Sequence, residues 1–507
     1  MDSCGLRTRQ QRNDTRSFEF VSSNSLRGRA ARGGAITLLT QLLRVAIQLG
    51  GMIILARLIA PQYFGLIAMV LAIAGIAEIF RDFGLSQSAL RRTDLTHQQR
   101  SNLFWLNTLL GLILGLLLFC LSWSIASFYG RPELVLIVQW IAPIYLLGGI
   151  TAQFRVHINI ALRFKALAVI DILSPLTATA AAIALALLGF ALPALIALQV
   201  ISPVLMLILS VALARWRPSL PRRTSGMLEL LSFGASYTFT QALSYTTRNV
   251  DSIAIGRVWG AVPLGIYDRA FQFAAAPLNQ INGPLSRVAI PVLARVAADR
   301  TKFIASLREA QLIQVYVTAT GLLVAAGLGT PLMTLLLGED WKAAGIIFSL
   351  LAVGSVFRSI QQIGYWMYVT LGLAGAQLKL YLVGQPLIIV CILIGLFWGP
   401  AGVAVGSTVG WAVFWVMSLL WVGRVARISV RKLMLDPLRV IGFVGLPAGI
   451  LAYAVTVWID LDPLSLVLVG CTAALAWIAL VGFTIPRVRR DLKTLFQFVR
   501  LALGKRK

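Results

Sequence analysis

The sequence predicts an all-α, polytopic membrane protein, and three observations predict it. Of the 507 residues, 58% are hydrophobic and only 13% charged, about half the charged share of a soluble protein. The apolar residues fall into runs long enough to cross a bilayer, and no polar stretch longer than about 30 residues separates them, so a separate soluble domain has nowhere to form. Lysine and arginine crowd into alternate loops.

A crossing needs about 20 mostly apolar residues, and about fourteen segments meet that length. A first group lies at 35–57, 64–83, 102–128, 134–154, 166–189 and 191–214, and a second at 227–248, 263–285, 309–337, 343–370, 377–398 and 400–423. Two more, at 438–459 and 464–485, form an added pair. The expected organisation is a basic cytoplasmic tail at 1–32, a six-helix bundle at 33–214, a basic cytoplasmic linker at 215–226, a second six-helix bundle at 227–424, an extra transmembrane helix pair within 425–485 and a basic tail at 486–507.

The first tail carries Arg7, Arg9, Arg12, Arg16, Arg27, Arg29 and Arg32 without an apolar run. It therefore lacks the core of a secretory signal and reads as a disordered cytoplasmic segment. The last stretch alternates cations with Leu492, Leu495, Phe496, Val499 and Leu501, which suits either an interfacial amphipathic helix or a frayed solvated tail.

Orientation follows from the cations, because cytoplasmic loops hold the excess of Lys and Arg. One set of loops contains Arg91, Arg92 and Arg100; Arg155, Arg163 and Lys165; Arg215, Arg217, Arg222 and Arg223; Arg295, Arg300, Lys302 and Arg308; and Arg424, Arg427, Arg431, Lys432 and Arg439. The intervening loops at 59–63, 129–133, 189–193, 338–342, 398–400 and 460–463 are short and nearly free of cations. Arg257 and Lys379 are the exceptions to the alternation. Both termini are expected on the cytoplasmic side.

The net charge of +26 then belongs to helix ends facing an anionic leaflet. Membrane lipids are its expected partner, and nucleic acid is not. Cys4, Cys120, Cys391 and Cys471 are far apart, and His97 and His157 lie in basic loops, so neither a disulfide framework nor a metal site is expected. No cofactor motif is present.

The chain repeats itself. Gly34, Ala35, Thr40, Gln41, Leu43, Ile53, Arg57 and Gly65 match Gly234, Ala235, Thr240, Gln241, Leu243, Ile253, Arg257 and Gly265 at a constant offset of 200. A weaker echo pairs Pro193, Ala194 and Ala197 with Pro400, Ala401 and Ala404. An even number of helices per repeat places both the same way up, as parallel repeats about an axis along the membrane normal.

Ionisable groups within a membrane are costly, so those that persist face a cavity or a partner. They gather in the first two helices of each repeat, where a cleft between halves is lined. Arg44, Arg248, Arg269 and Arg358 are candidates to grip a diphosphate with the planar guanidinium fork; Arg81, Gln48 and Gln272 join them as substrate-binding candidates. Glu78, Asp82, Asp251 and Asp268 are candidates for ion coupling, since a carboxylate in a low-dielectric cavity titrates nearer the working range. The competing role for each is an internal ion pair, such as Arg81 with Glu78 or Arg248 with Asp251. The expectation is a hydrated central cavity with cationic walls.

At Leu55-Ala-Arg-Leu-Ile-Ala-Pro-Gln-Tyr-Phe-Gly65 and Ala77-Glu-Ile-Phe-Arg-Asp-Phe-Gly-Leu85 the sequence resembles the polysaccharide transporter family of the multidrug, oligosaccharidyl-lipid and polysaccharide exporter superfamily. The pattern continues in Asn102-Leu-Phe-Trp-Leu-Asn107, Phe128-Tyr-Gly130, Leu162-Arg-Phe-Lys-Ala166, Arg248-Asn-Val-Asp251, Ile255-Gly-Arg257 and Leu264-Gly-Ile-Tyr267. The resemblance implies two six-helix bundles around a central cavity. It also implies a flippase for undecaprenyl-diphosphate-linked oligosaccharide in the bacterial inner membrane, serving exopolysaccharide, capsule or O-antigen synthesis. A polysaccharide polymerase or export machinery is the further partner it implies.

Two rival functions fit the same pattern less well. A multidrug or cation antiporter of the same superfamily shares the layout, but its cationic cargo favours acidic walls. A polymerase, ligase or membrane glycosyltransferase needs a sizeable outer loop bearing acid, base or metal-binding groups, and these loops hold only a few residues. No enzymatic activity is expected.

Overall fold

A computed structural model describes residues 23–86, 89, 95–222, 227, 238, 245, 247 and 249–493. Most of the expected helix at 227–248, Arg248 included, the cations Arg91 and Arg92, residues 1–22 of the first tail and residues 494–507 lie outside the described residues.

The described chain is helical, with no strand among the described residues. Its helices are α1 Ser23–Leu58, α2 Pro61–Asp82, α3 His97–Cys120, α4 Ser122–Tyr129, α5 Glu133–Ile141, α6 Pro143–Ile160, α7 Phe164–Leu187, α8 Ala191–Ala214, α9 Ala261–Val296, α10 Arg300–Gln314, α11 Thr320–Gly327, α12 Gly329–Leu337, α13 Lys342–Thr370, α14 Ala374–Gly395, α15 Gly399–Ala426, α16 Arg431–Val440, α17 Leu446–Trp458 and α18 Pro463–Thr484. Residues 249–259 are also helical, so the helix bearing Asp251 runs well past 248.

Local chemistry sets the ends. Proline occupies the first turn of α2, α6 and α18, where its missing N–H costs nothing. Thr96 and Gln99 form a capping box on α3, and Asp299 accepts from Thr301 N and Lys302 N at the start of α10. Gly130, at φ 65°, closes α4 in the left-handed conformation.

Eleven stretches are long and apolar enough to cross a membrane among the described residues. The difference from the expected number has physical causes. One of the eleven, Ala374–Ala426, holds both α14 and α15. Helix α9 is not among them, because Asp268, Arg269, Gln272, Gln280 and Asn282 interrupt its apolar residues. The first helix also begins at Ser23 rather than near 35, so residues 23–32 extend a helix and are not the disordered tail expected from their charge.

Helices α2 and α9 pack along one another at the centre, and their contact carries the repeat. A Cβ at Gly65 would lie 1.8 Å from the Ala261 carbonyl oxygen, and one at Gly265 would lie 2.1 Å from that of Pro61. Each glycine of the matched pair thus seats the first turn of the other's helix, the reciprocity that a two-fold axis between parallel helices produces. Close backbone approach through small residues is the usual basis of helix packing in lipid.

Other contacts between the halves gather at this same short-loop end. Trp341 donates to the Ala56 carbonyl at 2.8 Å, and Arg57 donates to the carbonyls of Leu335 and Leu336 that end α12. The motif Phe128-Tyr-Gly130 meets Ile255-Gly-Arg257, with the Arg257 guanidinium 5.8 Å above the Phe128 ring. That stack gives the cation that breaks the alternation a partner.

The motif at 102–107 holds the linker against the first bundle: Asn102 exchanges hydrogen bonds with Arg222, and Trp105 donates to Ser219. His97 and His157 both engage Trp216, one through a hydrogen bond at 3.3 Å and the other by stacking at 5.7 Å.

The added pair packs on α11 and α12. Gly327 and Gly449 let α11 and α17 approach so closely that a Cβ on the former would stand 2.1 Å from the latter's oxygen. At the basic end, Arg308 pairs with Asp436, and Asp491 pairs with Arg439, each at 2.7 Å. Residues 486–493 are helical, with Val488 buried. The described part of the last stretch is therefore tied to protein by Asp491 instead of lying free.

Candidate functional site

A cavity of about 840 Å³ lies between the halves, lined from α1, α2, α7, α8, the helix ending at 259, and α9. Its lining begins at the level of Leu55 and Phe64, beside the Gly65–Gly265 crossing, and extends to Glu78 and Gln280 toward the basic-loop end. That volume lies within the usual range of ligand-binding cavities.

Six of the residues singled out in the sequence line it: Arg44, Gln48, Glu78, Asp268, Arg269 and Gln272. Asp268 accepts from Arg269 at 2.7 Å and from Gln272 at 2.9 Å, which fixes all three on one face of α9. The Arg269 guanidinium also lies 4.8 Å above the Phe64 ring of the opposite half, a cation–π contact that holds it flat. Its Nε–H is buried with no hydrogen-bond partner among the described residues. Arg44 has no ion-pair or hydrogen-bond partner among the described residues.

The expected cationic walls are in fact mixed. Glu78 stands 3.4 Å from Arg81, and Asp268 neutralises Arg269. With both lining carboxylates matched to neighbouring arginines, Arg44 is the uncompensated charge on the described lining.

The four remaining described candidates do not line the cavity. Arg81 lies beside Gly148, where a Cβ would stand 2.0 Å from its Nη1, and its partner is Glu78 as the competing reading had it. Asp82 accepts a hydrogen bond from Ser86. Asp251 is buried and accepts from Tyr267 Oη at 2.7 Å and Ser252 N at 2.8 Å. Arg358 lies behind the cavity wall, 5.7 Å from the ring of Phe271 and 5.1 Å from that of Trp411; Phe271 itself faces the cavity. In the four cases, packing in the third dimension turned a plausible cavity residue toward a neighbour.

Sequence reasoning missed Tyr245, Asn249, Ser252 and Gln199, which also line the cavity. Tyr245 crosses between halves, donating to the Leu71 carbonyl at 3.0 Å over Gly75, where a Cβ would stand 1.9 Å from its hydroxyl. The signal was available: 245, 249 and 252 recur at helical spacing on one face, beside the candidate Asp251.

The model of the polysaccharide biosynthesis protein family matches residues 54–345, more than half of the chain. The chain belongs to that family. This family member is 32% identical over 288 residues to the teichuronic acid biosynthesis protein TuaB of Bacillus subtilis (strain 168), an alignment covering 56% of the chain and 59% of TuaB. It is 26% identical over 342 residues to the lipopolysaccharide biosynthesis protein WzxC of Escherichia coli (strain K12), covering 66% and 69% respectively. The alignment thus spans somewhat under two thirds of TuaB's length.

Among solved structures, the lipid II flippase MurJ in an inward closed conformation superimposes with a TM-score of 0.65 at 14% identity, covering 89% of this chain and 98% of MurJ. At that identity the likeness establishes the polytopic fold alone. The protein is a multi-pass membrane protein of a polysaccharide biosynthesis family.

Proposed function

We propose that the chain flips a lipid-linked oligosaccharide, carried on undecaprenyl diphosphate, across the bacterial inner membrane for exopolysaccharide, capsule or O-antigen assembly. The observation that carries this reading is the cavity between the halves in which Arg44 stands uncompensated and Arg269 keeps a buried donor unmet. The names of TuaB and WzxC, both polysaccharide biosynthesis proteins, support the class of cargo.

The physical task fits these residues. A diphosphate–sugar head cannot cross hydrocarbon because burying unpaired charge is prohibitively costly, whereas the polyprenyl tail stays in lipid throughout. Arg44 and the Nε–H of Arg269 would replace part of the head's hydration with charge-assisted hydrogen bonds, and Gln48, Gln272 and Asn249 offer amide groups to sugar hydroxyls. Asp268 holds the Arg269 fork in place and keeps the empty cavity near neutral.

Transport then needs the two bundles, 33–214 and 227–424, to rock about the α2–α9 contact. Closure at the short-loop end by Gly65, Gly265, Trp341 and Arg57 corresponds to the state that loads from the basic, cytoplasmic side, with both termini on that side. A polysaccharide polymerase or export machinery beyond the membrane would take the product. An antiporter for cationic drugs is disfavoured because both lining carboxylates already have arginine partners.

The test is flipping of a fluorescent undecaprenyl-diphosphate oligosaccharide in proteoliposomes. Arg44→Ala and Arg269→Ala should each slow it roughly tenfold to a hundredfold, the value of one charge-assisted hydrogen bond. Wild-type rates in both variants at equal protein levels would overturn the charge-recognition mechanism.

A further inference from the structure

A second feature of the fold lies away from this cavity, at the basic end of α15. After Ala426 the chain reverses at Arg427, whose φ is 53°, and returns as α16. The turn is pinned tightly, since Ile428 N donates to the Gly423 carbonyl at 2.9 Å and a Cβ at Gly423 would stand 2.8 Å from Val430 Cγ1. Between α15 and α16 this leaves a notch of about 630 Å³.

The notch is built in two layers. Its walls are Leu420, Met434, Leu435 and Leu438, and Leu420, Leu435 and Leu438 are exposed. At its mouth stand Arg424 and Arg431, both exposed and without a hydrogen-bond or ion-pair partner among the described residues. No carboxylate among the described residues lines it. The acid of α16, Asp436, is turned away, buried and committed to Arg308. The notch lies where the membrane-crossing stretches Ala374–Ala426 and Arg431–Trp458 meet, so its walls face hydrocarbon and its mouth faces headgroups.

We infer that this notch holds one anionic phospholipid of the adjacent leaflet, its phosphate between Arg424 and Arg431 and an acyl chain along Leu420, Leu435 and Leu438. Snorkelling alone would explain a single arginine at a helix end. It does not explain two that converge on an apolar notch with no counter-charge. The chain's own C-terminal residues 494–507 are excluded as occupant by charge: they carry Arg500, Lys505, Arg506 and Lys507 and no acid.

The test uses the full-length, delipidated protein in mild detergent, with phosphatidylglycerol and phosphatidylcholine of equal chain length as probes and native mass spectrometry as readout. The wild type should retain phosphatidylglycerol roughly thirtyfold more tightly than phosphatidylcholine, about the contribution of two arginines at an anionic lipid surface. The double variant Arg424→Gln/Arg431→Gln should lose that preference while melting with the wild type, and Arg431→Gln alone should lose part of it. Arg44→Ala should keep the preference, which separates this site from the transport cavity. Equal retention of both lipids by the wild type, an unaltered preference in the double variant, or displacement of the lipid by glycerol phosphate alone would overturn the assignment.

Discussion

The two repeats build matching walls around the cavity and furnish them differently. Six pairs of positions 200 residues apart have both members on the lining: Val45 and Tyr245, Leu49 and Asn249, Met52 and Ser252, Ala68 and Asp268, Leu71 and Phe271, Ala72 and Gln272. In five of them the first repeat is apolar and the second polar. The first repeat contributes Arg44 and Glu78 where the second has Ser244 and Leu278, and Gln48 where the second has Arg248.

The glycines behave in the opposite way. Gly65 and Gly265 are identical and reciprocal, because the closeness of two backbones is a demand that both repeats meet alike. Geometry has stayed symmetrical where the halves must fit each other, and chemistry has diverged where they face a cargo. The second repeat supplies most of the hydrogen-bonding groups, while the first sets the guanidinium of Arg44, unpaired among the described residues, beside apolar neighbours.

The largest expected effect tests the symmetrical part. Gly65→Val and Gly265→Val each drive side-chain atoms into a facing carbonyl that cannot yield without moving a helix, so each should abolish flipping in proteoliposomes while the protein still reaches the membrane. A labelled cysteine near Arg57 should become more accessible in both variants as the short-loop end is forced apart. If one glycine tolerates valine and the other does not, the shared geometry is broken.

A smaller effect sharpens the asymmetrical part. Asn249→Leu together with Gln272→Leu removes two hydrogen-bonding groups from the polar wall and should slow flipping roughly tenfold, about one net hydrogen bond to the cargo. Leu49→Ala and Leu71→Ala on the opposite wall should stay within about twofold, since a residue facing an open cavity loses little packing. Equal losses on the two walls would mean that the cargo contacts both alike.

The smallest effect concerns stability. Helices α3 and α10 start at comparable places in the repeats, one capped by Thr96 and the other by Asp299. The backbone N–H of Lys302 is the main cause that holds the Asp299 carboxyl below its ordinary value. A lowered value in the folded state means that its cap contributes fully above the unfolded carboxylate range, near pH 4, and is lost as pH falls through the lowered value. Asp299→Ala should therefore lower the melting temperature at neutral pH and remove part of its fall in acid. Thr96→Ala should cost about 1 kcal/mol at every pH, because a hydroxyl does not titrate there.

Much of this architecture was readable beforehand. Apolar runs and alternating basic loops located most crossings, and the offset of 200 paired Gly65 with Gly265, whose reciprocal contacts only the structure shows. The pairing of Arg81 with Glu78 was one of two readings that spacing allowed. What escaped was facing. Asp251 and Arg358 carry the same chemistry as Asp268 and Arg269, yet one is buried against Tyr267 and the other lies behind Phe271.

By itself the sequence determined that lipid is the solvent, that the chain crosses it many times, and which end of each helix meets a basic loop, because hydropathy and charge report depth along a helix axis. Only the tertiary structure decided which ionisable groups share the cavity. In a soluble helix the polar face points to water and marks the rotation, but here lipid and protein interior are both apolar. The rotation of each helix is therefore set by its neighbours, through contacts such as Gly65 on Ala261 and Arg269 on Phe64.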